Sequence, residues 1–161
     1  MADIDSTLLH EYFEYSNGEL YNKKSRHRVK IGQKLGYKSN EGYIILGFNN
    51  KYYLAHRLIF IMHYGYIPQQ IDHIDGNRAN NLIENLREAT NSQNCHNSKK
   101  KITNTSGYKN VTWRKDRSKW LVNIVINNKN VYFGSYDDIE LADLVAQEAR
   151  DKYHKEFAKH K

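Results

Sequence analysis

The segment that decides the fold of this 161-residue chain reads Asp72-His73-Ile74-Asp75-Gly76-Asn77-Arg78-Ala79-Asn80-Asn81-Leu82-Ile83-Glu84-Asn85-Leu86-Arg87-Glu88-Ala89-Thr90-Asn91-Ser92-Gln93-Asn94. A turn rich in glycine and asparagine separates two apolar-flanked stretches, and this arrangement predicts a β-hairpin. Thr90 or Asn91 could then cap a short helix that carries Asn94. The segment therefore predicts strand, strand and helix, with polar side chains converging at the open end.

The polar residues of this segment are of types that suit metal-assisted hydrolysis. Asp72 offers a carboxylate and Asn94 an amide oxygen, which are hard ligands suited to Mg²⁺ and poorly suited to zinc. His73 could be a general base, because the ordinary histidine pKa of about 6.5 leaves it neutral near physiological pH. One feature opposes a shared centre: neighbouring side chains of a regular strand point to opposite faces, so Asp72 and His73 would diverge.

The motif spacing resembles that of the HNH nucleases found in phages, many of which are homing endonucleases. The matching pieces are Asp72-His73-Ile74-Asp75-Gly76-Asn77, Asn80-Asn81, Asn85-Leu86-Arg87, Gln93-Asn94 and, upstream, His56-Arg57-Leu58. The resemblance implies that Asp72 and Asn94 hold the metal ion and that His73 activates water. It also implies that Asn85 fixes the hairpin and orients His73. Because Asn94 stands where many members carry histidine, Mg²⁺ or Mn²⁺ is favoured over tightly held Zn²⁺.

Three further residues near this motif have roles that the sequence leaves open. Arg57 and Arg87 could contact the scissile phosphate, since guanidinium groups suit phosphate oxygens, or either could be structural. We count Arg57 with His73 and Asn85 among the catalytic candidates. His96 could be a ligand, but we favour a surface position.

The first half of the chain predicts short strands followed by one buried helix. Tight hairpins are expected at Asn17-Gly18 and at Asn49-Asn50, with strands at 43–48 and 51–56 around the latter. Residues 57–64 are apolar all round, which predicts a short buried helix. We place a nuclease domain at 1–101, made of a β-rich leader at 1–50 and a ββα-metal core at 51–98.

Residues 102–161 predict a second domain of three strands and one helix, which makes the chain an α+β protein. The strand-like runs are 111–113, 120–126 and 131–133, and Asp137 to Glu140 resembles a capping box. The predicted buried face of the helix consists of Leu141, Val145, Ala149, Tyr153 and Phe157, with Leu144 beside them.

Basic residues concentrate in the strands of this second domain. Residues 99–119 hold eight bases against one acid, whereas residues 137–156 hold seven acids against three bases. A sheet with this charge suits DNA phosphates. The predicted DNA contacts are Lys99, Lys100, Lys101, Trp113, Arg114, Lys115, Arg117, Lys119 and Trp120. The tryptophans could instead be core residues, and we expect a split, with one face of the sheet beneath the helix.

Residues 105–158 resemble an AP2-type DNA-binding domain, a fold that reads the major groove with a three-stranded sheet. The resemblance rests on Ser106 to Trp113, on Lys119-Trp120, on Gly134 with Tyr136, and on the helix from Ala142 to Ala158. It implies double-stranded DNA as the partner.

Bulk properties agree with this interpretation and exclude others. The net charge of +7 and the pI of about 9.3 favour a polyanionic partner. The single cysteine excludes an intrachain disulfide, and neither a secretory signal nor a membrane span is expected. We expect a cytoplasmic monomer or homodimer without a small-molecule substrate. Two alternatives remain open: an AP2-type DNA-binding protein with a degenerate HNH unit, and a binder of structured RNA.

Overall fold

The computed structural model of the chain describes residues 4–25, 29–97 and 103–160. The chain divides into two compact units, Met1–Ala89 and Thr90–Lys161. Both units combine helices with antiparallel sheets, so the protein is of the mixed α+β class. Within these described ranges, no helix is long and apolar enough to cross a membrane.

The described residues of the first unit form three small antiparallel sheets and two α-helices. In chain order the elements are α1 (Ser6–Tyr12), β1 (Phe13–Ser16), β2 (Glu19–Asn22), β3 (Tyr37–Lys38), β4 (Ile44–Phe48), β5 (Lys51–Leu54), α2 (Ala55–Tyr64), β6 (Gln70–His73) and β7 (Leu86–Ala89). β1 pairs with β2, β4 lies between β3 and β5, and β6 pairs with β7. A 3₁₀ turn at Ile83–Asn85 leads into β7.

The two predicted hairpins of the first unit are confirmed. Asn17 and Gly18 join β1 to β2 with φ of 48° and 78°, and Asn49 and Asn50 join β4 to β5 with φ of 47° and 58°. Positive φ at both central positions is what a two-residue hairpin turn requires, and asparagine and glycine tolerate it best. The second hairpin is shorter than predicted, because β5 ends at Leu54 and the helix has already begun at Ala55.

The core of the first unit forms around α2. Leu58 and Ile59 are at most 1% exposed and pack with Leu9, Phe13 and the rest of one apolar cluster. Apolar residues surround most of this helix, as the sequence predicts for a buried one. Gly65 ends it with a left-handed φ of 77°.

The second unit contains α3 (Asn91–His96), β8 (Val111–Arg114), β9 (Lys119–Ile126), β10 (Lys129–Tyr136) and α4 (Ile139–His154). The sheet order is β10-β9-β8, with α4 packed on one side of it. α3 groups with this unit, since the ring of His96 stacks on that of His154 at 3.7 Å and its carbonyl accepts a hydrogen bond from Lys109. The division between the units therefore falls before α3, whereas the sequence predicts a boundary near 102.

The buried face of α4 differs from the predicted one. Leu141, Leu144 and Tyr153 are 49%, 62% and 44% exposed, whereas Ala142 and Ala146 are fully buried. The prediction chose the largest apolar side chains, but small methyl groups let the helix backbone approach the sheet closely. The apolar face predicted through Leu141, Leu144 and Tyr153 is therefore wrong, although Val145, Ala149 and Phe157 do contribute to burial.

The start of α4 is also displaced from the predicted capping box. Asp138, not Asp137, caps the helix, since its side chain accepts a hydrogen bond from the backbone N–H of Leu141 at 2.8 Å. Asp137 instead forms an ion pair with Lys119 at 2.9 Å. The cap therefore begins one residue later than predicted.

Candidate active site and nucleic-acid interface

The β6–β7 hairpin carries the first two predicted site residues. Asp72 lies opposite Arg87 and His73 opposite Leu86 in the antiparallel register. Both Asp72 and His73 are buried, at 3% and 5% exposure. Their described partners differ, as the alternation of side chains along a strand leads one to expect.

Asp72 forms a buried ion pair across the hairpin. The Nε atom of Arg87 donates to Oδ2 of Asp72 at 2.9 Å, and Nη2 of Arg87 lies 2.8 Å from the same oxygen. A buried carboxylate needs such compensation, because removal from water is costly for a charge. Of the two roles left open for Arg87, these contacts favour the structural one.

His73 is held in a small group of rings. Its Nε2 lies 3.1 Å from Oδ1 of Asn81, and its ring centre lies 5.0 Å from that of His56 in an edge-to-face arrangement. The ring of Tyr43 is 6.1 Å away. Burial lowers the pKa of His73, while the hydrogen bond with Asn81 opposes this effect. The ring is therefore neutral near pH 7 and can accept a proton.

His56 is a buried neighbour to which the sequence assigned no role. Burial lowers its pKa to about 3, with smaller contributions from His73 and Arg57. Its Nδ1 is buried and has no hydrogen-bond partner among the described residues. Arg57, the next residue on α2, is half-buried in the first turn of that helix.

Asn85 closes the loop between β6 and β7. Its Nδ2 donates to Oδ1 of Asp75 at 3.0 Å and to the carbonyl of Asn80 at 2.8 Å, and its Oδ1 accepts from the N–H of Asp75. Burial acts to raise the pKa of Asp75, but hydrogen bonds from Asn80, from the N–H of Asn77 and from Asn85 lower it overall. These contacts support the predicted role of Asn85 in fixing the hairpin.

The residue that contacts the ring of His73 in this loop is Asn81, which sequence reasoning missed. Asn81 is 2% exposed, and its side chain reaches Nε2 of the ring. It stands in the quoted Asn80-Asn81 pair, but nothing in the spacing distinguishes a ring partner from a turn residue. The one hint in the sequence is that Asn80 is followed by a second asparagine, although a single asparagine is enough to form a turn.

Asn94 and His96 lie on α3 in the second unit. Thr90 and Gln93 form a reciprocal capping box at its start, so the predicted cap and short helix are confirmed. Asn94 is half-buried there, while Asp72, His73 and Asn85 belong to the first unit. His96, for which a surface position was favoured over a ligand role, is half-buried and stacks on the ring of His154. In the described part of the chain, no cluster of three or more His, Cys, Asp or Glu side chains could hold a metal ion.

The sheet of the second unit has one face beneath α4 and one open face. Trp113 pairs with Trp120 in the same alternation as the buried pair Val111 and Val122, which places both tryptophans on the helix side. Trp120 packs on the core and Trp113 is 39% exposed, with ring centres 4.8 Å apart. The register therefore places both tryptophans on the face opposite to Arg114 and Lys119, where Trp120 packs on the core and Trp113 stays exposed.

The open face carries two of the predicted DNA contacts and several residues that were missed. Arg114 and Lys119 form the cross-strand pair next to the tryptophans, so they point to the opposite side. The same alternation defines the open face as Thr112, Arg114, Lys119, Leu121, Asn123, Val125, Asn130, Tyr132 and Ser135. The other residues of this face are every second residue along each strand from Arg114 and Lys119. They can be named only once the strand register is known.

The turn from β8 to β9 holds the remaining basic residues. Arg114 donates from Nε and Nη2 to the two carboxylate oxygens of Asp116 at 2.9 and 3.1 Å. Lys115 and Arg117 are exposed in this turn. The predicted contacts Lys99, Lys100 and Lys101 lie outside the described residues.

Comparison with known proteins gives two matches. The HNH endonuclease family model matches residues 53–96, which include Arg57, Asp72, His73, Asn85 and Asn94. Protein 3.8 of Escherichia phage T7 is 37% identical over 97 residues, which is 59% of this chain and 79% of that protein. No solved structure matches the chain.

Proposed function

Because the chain belongs to the family of phage T7 Protein 3.8 and carries an HNH endonuclease domain at residues 53–96, we propose that it is a metal-dependent DNA endonuclease. Its substrate would be double-stranded DNA, in which it hydrolyses phosphodiester bonds. The observation that carries the proposal is the buried Asp72-His73 pair on β6, within the matched domain. Buried titratable side chains cluster at functional sites, and the ion pair with Arg87 compensates the burial of the Asp72 carboxylate.

The residues of the hairpin have complementary tasks in this reaction. His73, neutral because burial lowers its pKa, takes a proton from the attacking water. Asp72 carries a carboxylate of the kind that Mg²⁺ or Mn²⁺ binds, and Arg87 balances its charge through one carboxylate oxygen. The assignment of Asn94 as a further ligand rests on the family resemblance alone. A bound ion would stabilise negative charge on the phosphate and on the leaving oxygen. Arg57 would bind a phosphate near the cut.

The second unit would hold the DNA through its open face. Arg114 and Lys119 lie on that face with polar and aromatic neighbours, a composition that suits phosphates and base edges. This assignment follows the resemblance to AP2-type domains, which stays a prediction. One candidate centre per chain makes a nick the simplest product, and a homing role rests on the family analogy alone.

The test is a cleavage assay with purified protein. Supercoiled plasmid and phage DNA are incubated with Mg²⁺, with Mn²⁺ or with EDTA, and the nicked and linear products are quantified. The proposal expects cutting with metal only, and loss of cutting in His73→Ala. His10→Ala is the matched control, because it removes an exposed histidine of α1 whose side chain bonds the carbonyl of Met62 and contacts no residue of the proposed site.

Each other outcome has a defined meaning. Cutting that persists in His73→Ala would keep the endonuclease and remove His73 as the base. Tight binding to duplex DNA without cutting, across several DNAs and metals, would favour a DNA-binding protein with a degenerate HNH unit. Binding that survives excess duplex DNA but not structured RNA would favour an RNA partner.

A further inference from the structure

We propose that Asn81 is the positioning residue for His73 and that the β1–β2 hairpin of the leader holds Asn81 in place. The inference rests on the proposed endonuclease function. It assigns to Asn81 the orientation of the His73 ring, a task that the family resemblance gives to Asn85.

The first step is the contact itself. Oδ1 of Asn81 lies 3.1 Å from Nε2 of His73, and both side chains are buried. An amide oxygen can only accept a hydrogen bond, so the neutral ring donates from Nε2. A single acceptor therefore fixes both the angle of the ring and the nitrogen that carries its proton.

The second step connects Asn81 to the loop network. Asn85 donates to the carbonyl of Asn80, the residue before Asn81, and Asn80 itself donates to Oδ2 of Asp75 at 2.8 Å. Asn85 thus acts on the ring through the backbone that leads to Asn81. Such a chain of connected hydrogen bonds favours one geometry of the loop, because a displacement of one member breaks the bonds of the next.

The third step brings in the leader. A Cβ atom placed on Gly18 would meet the backbone N of Leu82 at 2.8 Å and the carbonyl carbon of Asn81 at 3.0 Å. The hydroxyl of Tyr15 accepts a hydrogen bond from the N–H of Ile83 at 3.0 Å. The β1–β2 hairpin therefore approaches the 81–83 backbone closely at Gly18 and holds it through the hydroxyl of Tyr15. Through these contacts residues outside the matched domain would take part in positioning His73.

The ring of His56 completes the setting. It lies edge-to-face against the ring of His73, with 5.0 Å between the ring centres, and this packing limits rotation of the His73 ring. Nδ1 of His56 has no hydrogen-bond partner among the described residues. Packing alone would still permit the His73 ring to turn by 180° about its bond to Cβ, since the two edges of an imidazole ring have nearly the same shape. The oxygen of Asn81 removes that freedom, because a turned ring would present carbon where the donor must be.

The kinetic test compares variants of nearly equal size. Asn81→Leu should lower kcat for plasmid cleavage about 100-fold with KM changed less than about twofold, the loss expected for a misplaced catalytic group. Asn81→Asp keeps an acceptor in place and should recover at least about tenfold of that loss. Binding to DNA in EDTA should match the wild type in both variants. Wild-type kcat in Asn81→Leu would overturn the inference.

A glycine pair tests the leader with a matched control. Gly18 and Gly32 both have a left-handed φ, 78° and 73°, but nothing lies within 4 Å of a Cβ placed on Gly32. Gly18→Ala and Gly32→Ala therefore carry similar backbone strain, and only the former pushes on Asn81. We expect kcat to fall at least about tenfold in Gly18→Ala and to stay within about twofold in Gly32→Ala. Equal effects in the two variants would remove the leader from the inference.

A spectroscopic measurement on the wild-type protein tests the inference without relying on cleavage activity or on the folding of the Asn81 and Gly18 variants. Two-bond ¹H–¹⁵N spectra of the wild-type protein at pH 8, assigned with His73→Gln, report which nitrogen of His73 carries the proton. The inference requires the proton on Nε2, and a proton on Nδ1 would overturn it. Failure of the wild type to cut any DNA would instead contradict the proposed function, whatever these spectra show.

Discussion

The buried ring of His56 makes the stability of the first unit depend on pH in a calculable way. Its pKa is about 3 in the folded protein against about 6.5 for an exposed histidine. Above pH 6.5 the residue is neutral in both states and contributes no pH dependence. Below pH 6.5 His56 binds a proton in the unfolded chain but not in the folded chain, so the free energy of unfolding decreases as the pH falls. Each pH unit costs about 1.4 kcal/mol, which gives about 2 kcal/mol at pH 5.

His56→Phe should abolish this contribution. The phenyl ring keeps the packing against Tyr43 and His73 but has no nitrogen to protonate or to leave unpartnered. Between pH 7 and pH 5 the free energy of unfolding of the variant should therefore fall by about 2 kcal/mol less than that of the wild type. The contributions of histidines that do not contact His56 are common to both proteins and cancel in this difference.

The assay must follow the first unit alone. Both tryptophans belong to the second unit, so their fluorescence reports on that unit. Urea titrations followed through NMR signals of α2 amides report on the first unit directly. The interval from pH 8 to pH 7 is the control, where wild type and variant should show the same change. Equal losses of stability in the two proteins between pH 7 and pH 5 would refute the reasoning.

Three further predictions test the interface, the loop and the helix face. Arg114→Ala and Lys119→Ala should each weaken DNA binding and reduce the slope of log affinity against log salt by about 0.9, as measured by fluorescence anisotropy; an unchanged slope in both would remove them from the interface. Asn85→Ala should lower the free energy of unfolding of the first unit by about 2 to 3 kcal/mol, because it removes the three hydrogen bonds through which this side chain holds the loop, each contributing about 1 kcal/mol. Ala146→Leu should cost about 1 to 3 kcal/mol by overfilling the contact with the sheet, whereas Leu144→Ala should stay within about 0.5 kcal/mol; similar costs by urea unfolding would contradict the face described for α4.

The sequence predicted best those features that depend on local backbone chemistry. Asn17-Gly18 and Asn49-Asn50 occupy left-handed conformations that few other residues tolerate, so the hairpins could be located from two residues each. Thr90 with Gln93 is equally local, because a capping box is completed within one turn of helix. Such features need no knowledge of the rest of the fold.

The features that were missed depend on contacts between distant segments. Leu141 and Leu144 outrank alanine in hydrophobicity, yet the distance between α4 and the sheet selects Ala142 and Ala146. Arg150 is fully buried on that face because its guanidinium donates to the carbonyl of Lys109 at 2.7 Å, a partner far along the chain. The hydrophobic periodicity of the helix does not predict that an arginine is buried.

The candidate site shows the same limit. The positions of Asp72, His73 and Asn85 on one hairpin follow from their spacing, and the hairpin is present. The ring partner Asn81 is set by how the loop closes. The side of the sheet that Trp113 occupies is set by the register across the β8–β9 turn, which the composition does not encode.

The contact of α4 with its sheet through alanines has a consequence for how this protein changes over generations. Side chains on the open face, such as Thr112, Asn123 and Tyr132, point away from that contact and from the core. Substitutions there alter the outer surface while the packing that holds the unit together stays the same. If this face binds DNA, as proposed, its contacts could change in single mutational steps without loss of the packing that keeps the unit folded. The same separation would make this face the place to begin retargeting the protein by directed evolution.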